Sequence, residues 1–266
     1  LAAAAKKASR IAAEGIVATL VSDDKKSAAI VEVNAETDFV AKNEVFQSYV
    51  ARVAAQVLAS NNTTMEAFMA EPWIDDASFT VEQELSQMVA KIGEKLSIRR
   101  FEKVTNENGV IASYIHAGGK IGVMVNFETD VAGKEGFAEY GKDIAMQIAA
   151  VNPSYLQKSD VPDEVIEHEK AIMTEQVINE GKPEAIAQKI VLGKIGKYYE
   201  ENCLVNQAFV KDNKMTVEQY TAKVAKDLGG SIKILGFVRF EKGEGLEKRS
   251  DNLADEVAKQ LAESSK

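Results

Sequence analysis

The chain repeats itself, and a duplication limits the fold more than any other feature of the sequence. Residues 34–59, NAETDFVAKNEVFQSYVARVAAQVLA, match residues 126–150, NFETDVAGKEGFAEYGKDIAMQIAA, with one gap. Identities include Asn34/Asn126, Glu36/Glu128, Thr37/Thr129, Asp38/Asp130, Phe46/Phe137, Tyr49/Tyr140 and Gln56/Gln147. Upstream, GIVATLV from Gly15 matches GVIASYI from Gly109. Downstream, TVEQ recurs at Thr80 and Thr216, VAK at Val89 and Val224, and RFEK at Arg100 and Arg239. Islands in one shared order make this a tandem duplication.

Each repeat translates into the same elements. Residues 15–21 and 28–35 are rich in β-branched side chains and flank SDDKKS, which predicts a hairpin. Residues 109–116 and 120–127 do the same around Ala117-Gly118-Gly119. A helix follows in each, over 44–59, with Phe46, Val50, Val53 and Val57 on one stripe, and over 134–150. A second helix opens on a capping box, Thr80 with Gln83 or Thr216 with Gln219. Alternating strands over 97–105 and 232–241 close the repeats. The prediction is an α+β fold, internally duplicated, with two three-stranded antiparallel sheets and helices on one face. The first repeat spans 15–105 and the second 106–162 with 201–248. A helix is expected over 1–14, as a linker from residues missing upstream, and another over 249–266.

The second repeat is longer. The added stretch, 163–200, holds two helical runs broken by Gly181-Lys182-Pro183. Val165, Ile172, Met173 and Val177 are expected on one seam, facing Ile186, Ile190 and Val191. Glu164, Glu167, Glu169 and Glu175 on the first arm complement Lys189, Lys194 and Lys197 on the second. This pattern predicts an inserted antiparallel helical hairpin of coiled-coil type.

Composition narrows function. A net charge of −9 argues against nucleic acid as the main partner, and no apolar run has the ~18 residues of a membrane span. Cys203, the one cysteine, excludes internal disulfides and cysteine zinc sites and suits a reducing cytosol. His116 and His168 fall on different elements, without HExxH, so no metal and no cofactor are expected. Glu36 and Asp38 suggest acid–base work, but both recur as Glu128 and Asp130, which favours a structural turn. The chain does not read as an enzyme. After the shared Glu-Thr-Asp, Phe39 stands where the second repeat has Val131. Its own pattern leaves two readings open, a core residue or an exposed protein-binding anchor.

EVNAETDFVAKN from Glu32, KIGEKLSIRR from Lys91, SYIHAGGKIGV from Ser113 and GFVRFEKGEGLEK from Gly236 resemble, in order, the elongation factor Ts family. The resemblance covers nearly the whole chain. It implies a guanine-nucleotide exchange factor that binds the GDP form of elongation factor Tu in the cytoplasm. Thr37, Asp38, Phe39 and Val40 would intrude near the partner's Mg²⁺ and phosphate site, with Phe39 as a wedge. Ile92, Gly93 and His116 match further partner-contact positions. The family opens on a small helical domain, and this sequence starts after it. A homodimer or a 2:2 complex is left open. The rival reading is a duplicated interaction scaffold without exchange activity.

Overall fold

A computed structural model describes residues 6–247. Strands β1 (Glu14–Val21), β2 (Ser27–Ala35) and β3 (Ser97–Thr105) form one antiparallel sheet in that order. β4 (Gly109–His116) and β5 (Ile121–Thr129) begin the second. Two short strands, β6 (Ala208–Phe209) and β7 (Asp212–Thr216), pair with each other, and β8 (Ile232–Glu241) completes the second sheet as β4-β5-β8. The expected α+β duplication is present, with two three-stranded sheets. The β6–β7 ribbon had no sequence signal strong enough to predict it.

Helices in the first repeat are α1 (Asp38–Ala41), α2 (Glu44–Ala59), α3 (Met65–Met69) and α4 (Val81–Ile92). The second repeat has α5 (Phe137–Val151), the arms α6 (Asp163–Asn179) and α7 (Glu184–Asn202), and α8 (Val217–Leu228). Helix α5 begins later than residue 134 because Gly136 at its start is left-handed, with φ 95. Both capping boxes form as expected, at Thr80–Gln83 and Thr216–Gln219.

Central strand β2 is buried on both faces, and its alternation sorts the core. Ala29, Val31, Val33 and Ala35 meet Phe46, Val50, Val53 and Val57 of α2, the stripe read from the sequence. In the second repeat, Val123, Val125 and Phe127 meet Phe137, Tyr140, Ile144 and Ile148 of α5. The opposite faces of the sheets pack on each other: Val17, Ala28 and Ile30 against Ile111, Met124 and Phe240. The order is helix, sheet, sheet, helix. Val17 N donates to Gly119 O and Ile111 N to Lys25 O, both at 2.8 Å, so backbone also joins the repeats.

Between the sheets lies a buried carboxylate. Glu32, wholly enclosed, accepts from Arg99 Nη1 at 3.1 Å, Arg100 Nε at 2.6 Å, Asn34 Nδ2 at 3.0 Å and Gly243 N at 2.8 Å. Arg100 also donates to Glu241 O at 3.0 Å, so the group ties β2 and β3 to the end of β8. Burial pushes the carboxyl up, but the hydrogen bonds from Gly243, Asn34 and Arg100 outweigh it and hold the carboxyl below its ordinary range.

Two sequence identities are not structural equivalences. Arg100 and Arg239 do lie on corresponding third strands. Arg100 pairs with Glu32 and points between the sheets, whereas Arg239 pairs with Val123 and reaches Ala149 O on the helix side. Phe101 and Phe240 are reversed in turn, Phe101 against Phe68 and Phe240 in the inter-sheet core. A one-residue slip turns every strand side chain to the other face. The VAK match slips likewise, since α4 and α8 each run 12 residues between a capping threonine and a left-handed glycine.

The inserted hairpin is present, but its seam differs from the expectation. Ile166 and Val177 on α6, with Ala187, Val191 and Ile195 on α7, are buried, whereas Ile172 and Ile186 are exposed. The buried residues lie eleven apart on α6 and four apart on α7, spacings that keep a helical stripe in line, and Ile172 and Ile186 fall beside it. Among the described residues the hairpin's ion pairs stay within one helix, Lys170–Glu167 and Lys197–Glu201, so apolar contact and not charge joins the arms. Of the helix read over 1–14, the described part is helical only at Lys6 and Lys7. Lys95 Nζ takes the carbonyls of Ala8 at 2.6 Å and Arg10 at 2.8 Å, and the chain turns there. The helix read over 249–266 lies outside the described residues. Among the described residues no helix is long and apolar enough to cross a membrane.

Candidate functional site

At the end of β2 the chain must turn outward and re-enter as α2. Thr37, extended at φ −127, caps α1 by accepting from Val40 N at 3.4 Å. Asn43 then caps α2, accepting from Val45 N at 2.8 Å and Phe46 N at 3.3 Å. Asp38 pairs with Lys42 Nζ at 3.0 Å across one helical turn, and that bond lowers its carboxyl below the usual range. Val40 turns inward onto the first core. Phe39 does not: it is 78% exposed, the most exposed large apolar side chain among the described residues.

A second element braces this turn from beneath. Gly93 ends α4 in the left-handed region, at φ 88, and Glu94 follows it. Its Oε2 accepts from Glu36 N at 3.1 Å and Thr37 N at 3.0 Å, and its Oε1 accepts from Thr37 Oγ1 at 2.6 Å. Glu36 Oε1 accepts from Lys95 N at 2.6 Å and from Arg10 Nη1 at 3.2 Å. The Ile92-Gly93 step is thereby held next to Thr37. Ile92 itself is half-buried on the first core, and the space around Gly93 is open.

His116 sits exposed at the end of β4, its Nδ1 3.0 Å from Tyr114 Oη. The following turn uses Ala117, Gly118 and Gly119 at φ 48, 65 and 98. It reaches β1 through Gly119 O, the strand on which α1 also packs. Lys242 links the two places: its N–H donates to Lys120 O at 2.8 Å, its Nζ meets Glu14, and its charge helps lower Asp38.

The matching corner of the second repeat is closed. Thr129 Oγ1 donates to Ser231 O at 2.7 Å, and Asp130 Oδ1 accepts from Ser231 N at 2.7 Å. That backbone bond lowers the Asp130 carboxyl. Val131 is 1% exposed and belongs to the second core.

Glu36, Glu94 and Asp130 each accept from backbone N–H groups, and Asp38 pairs with Lys42. Among the described residues no group of three or more His, Cys, Asp or Glu is placed to hold a metal ion. What the geometry offers is a ring presented on a fixed turn. Sequence reasoning passed over Glu94, because a glutamate after a helix-ending glycine has no visible link to a threonine 57 residues earlier.

Fold and turn together define a class: an internally duplicated α+β protein in which one repeat exposes an aromatic at the corner where the other buries a valine. Residues 36–244 match the family described as Elongation factor TS. Similar proteins include the elongation factor Ts of Clostridium kluyveri, 49% identical over 98% of this chain and 85% of the relative. That of Clostridium tetani is 48% identical over 98% and 86%, and that of Clostridium perfringens 51% over 97% and 84%. The chain belongs to the elongation factor Ts family, and is thus a translation elongation factor.

Proposed function

We propose that this protein is the guanine-nucleotide exchange factor for elongation factor Tu, acting on its GDP form in the cytoplasm. One observation carries the reading. An exposed Phe39 stands on a turn whose backbone is already fixed, and the sister repeat, freed of that task, buries its counterpart. A large aromatic held in place before binding loses little entropy on docking, which is how anchors gain affinity.

Residues 37–40 approach the partner's Mg²⁺ and phosphate site, with Phe39 wedged between partner side chains and displacing the helix that helps hold the ion. Asp38 supports that contact, and Ile92, Gly93 and His116 flank it. Mg²⁺ offsets repulsion among phosphate oxygens and carboxylates, so losing it weakens the nucleotide's hold. No bond is made or broken. By linkage, the factor this protein takes from GDP affinity is the factor GDP takes from its own.

Release of fluorescently labelled GDP from elongation factor Tu tests this. Added protein should speed release catalytically, at amounts well below the GTPase. Unchanged release alongside measurable binding would leave the scaffold reading instead.

A further inference from the structure

The two corners share a scaffold and differ in their brace. Helices α4 and α8 run the same 12 residues from capping threonine to left-handed glycine, Gly93 or Gly229. Counted from either end, Glu94 and Gly230 hold the same place, and Lys95 corresponds to Ser231.

Around Gly230 there is no room for a side chain. A Cβ there would fall 2.3 Å from Asp130 Oδ1 and 2.3 Å from Val131 Cγ1. The strand end therefore closes directly onto the helix cap through Ser231, and Val131 is carried into the core. In the first repeat the Glu94 side chain fills that gap. Its two oxygens satisfy Glu36 N, Thr37 N and Thr37 Oγ1. In the other repeat only the threonine hydroxyl's bond passes to Ser231, whose carbonyl accepts from Thr129 Oγ1, while Glu128 and Thr129 pair with Lys233 and Ile232 of β8. The turn stands off from the cap, and Phe39 stays outside.

We infer that Glu94 is the positioning residue of the Phe39 anchor: it spaces the turn from the end of α4 and fixes it in the form the partner receives. The inference rests on the exchange reading. Glu94 itself touches neither nucleotide nor metal in this role. It sets the fraction of molecules whose turn is ready, and apparent affinity scales with that fraction.

The test uses the full chain with Glu94→Ala and Glu94→Gln, two readouts, and Phe39→Ala alongside. Amide hydrogen exchange at Glu36 and Thr37 reports the brace, and labelled-GDP release against protein concentration reports function. Glu94→Ala, which loses three part-buried bonds, should speed both amides at least about tenfold and raise the half-maximal concentration at least about tenfold, a change of about 1.4 kcal/mol or more. The maximal release rate should be kept. Glu94→Gln should restore both readouts, because its carbonyl oxygen can accept from the two amides while its NH₂ donates to Thr37 Oγ1. Phe39→Ala should instead lower the maximal rate and leave the amides protected. Should Glu94→Ala unfold, Glu94→Gly replaces it, since the second repeat already folds with glycine there. Unchanged amides in the Ala or Gly variant, or faster amides with an unmoved half-maximal concentration, overturn the role of Glu94. Normal release by Phe39→Ala overturns the exchange reading itself.

Discussion

Phe39 and Val131 stand one residue past the same Glu-Thr-Asp, and the first is 78% exposed while the second is 1% exposed. Duplication supplies an internal control, since the two corners follow the same Glu-Thr-Asp and differ in which side chain the core accepts. Phe39→Ala should cost less than about 1 kcal/mol of stability, as exposed sites do. It should still slow stimulated GDP release at least about tenfold, the effect of losing roughly 1.4–2 kcal/mol from an aromatic hot spot. Val131→Ala should behave in reverse, losing about 2 kcal/mol by urea unfolding for the methyl groups removed. Release by its folded fraction should match the parent. Equal destabilisation by the two substitutions would show that both corners are core.

Glu32 and Met124 form the second unequal pair, both fully buried between the sheets. Glu32→Ala leaves Arg99 without its carboxylate and Arg100 with only the exposed Glu244. With both guanidiniums partly exposed, the loss should fall at or below the low end of the about 3–5 kcal/mol that a fully buried pair costs. The acid response has a definite sign. The folded-state carboxyl lies below its ordinary value of 4.5, so Glu32 contributes stability in full above about pH 4.5 and loses it as pH falls through the folded value. Urea midpoints for the parent and Glu32→Gln should therefore converge on acidification below about pH 4.5. A constant gap across that range would mean the carboxylate is not held down.

Much of this architecture was legible because it depends on local chemistry. Both capping boxes, the Phe46–Val50–Val53–Val57 stripe, and strands β3 and β8 follow from spacing and turn residues alone. Face assignment on β8 was not legible, because RFEK identity hides a one-residue slip that only pairing reveals. The hairpin seam was missed at Ile172 and Ile186, since apolar residues next to a heptad look like members of it. At the site, the sequence marked Phe39 as the point where the repeats part. Whether it was buried depended on Glu94, a contact between distant segments that periodicity does not encode.

The hairpin arms should be removable. Ser154 N and Tyr155 N both donate to Asn202 O, at 2.9 and 3.0 Å, and Leu204 N donates to Tyr155 O at 2.9 Å, so the base is pinned independently of the arms. Away from that base α6 and α7 pack chiefly on each other. Replacing residues 163–200 with a short Gly/Ser link should keep one cooperative transition, since changing loop length costs only about 0.6 kcal/mol per doubling. Its urea m-value should drop with the surface removed. A broad, non-cooperative melt would make the hairpin part of the core.

Two glycines at successive positions of the same motif should respond in opposite ways, for different physical reasons. Gly93 is left-handed at φ 88, and a Cβ there meets nothing within 4 Å. Gly93→Ala should therefore cost only the backbone term, about 1 kcal/mol. Gly230 is limited by space, with Asp130 Oδ1 and Val131 Cγ1 each 2.3 Å from a Cβ placed there. Its Gly230→Ala variant must push the strand end away from the cap, weaken the Asp130–Ser231 bond and loosen Val131. Overpacking of this kind costs about 1–3 kcal/mol. Hydrogen exchange should mark the difference: the Ser231 amide speeds up in Gly230→Ala and stays protected in Gly93→Ala. If Gly230→Ala is as stable as the parent with Ser231 still protected, the second corner is not closed by backbone approach. The contrast with Glu94 would then need another cause.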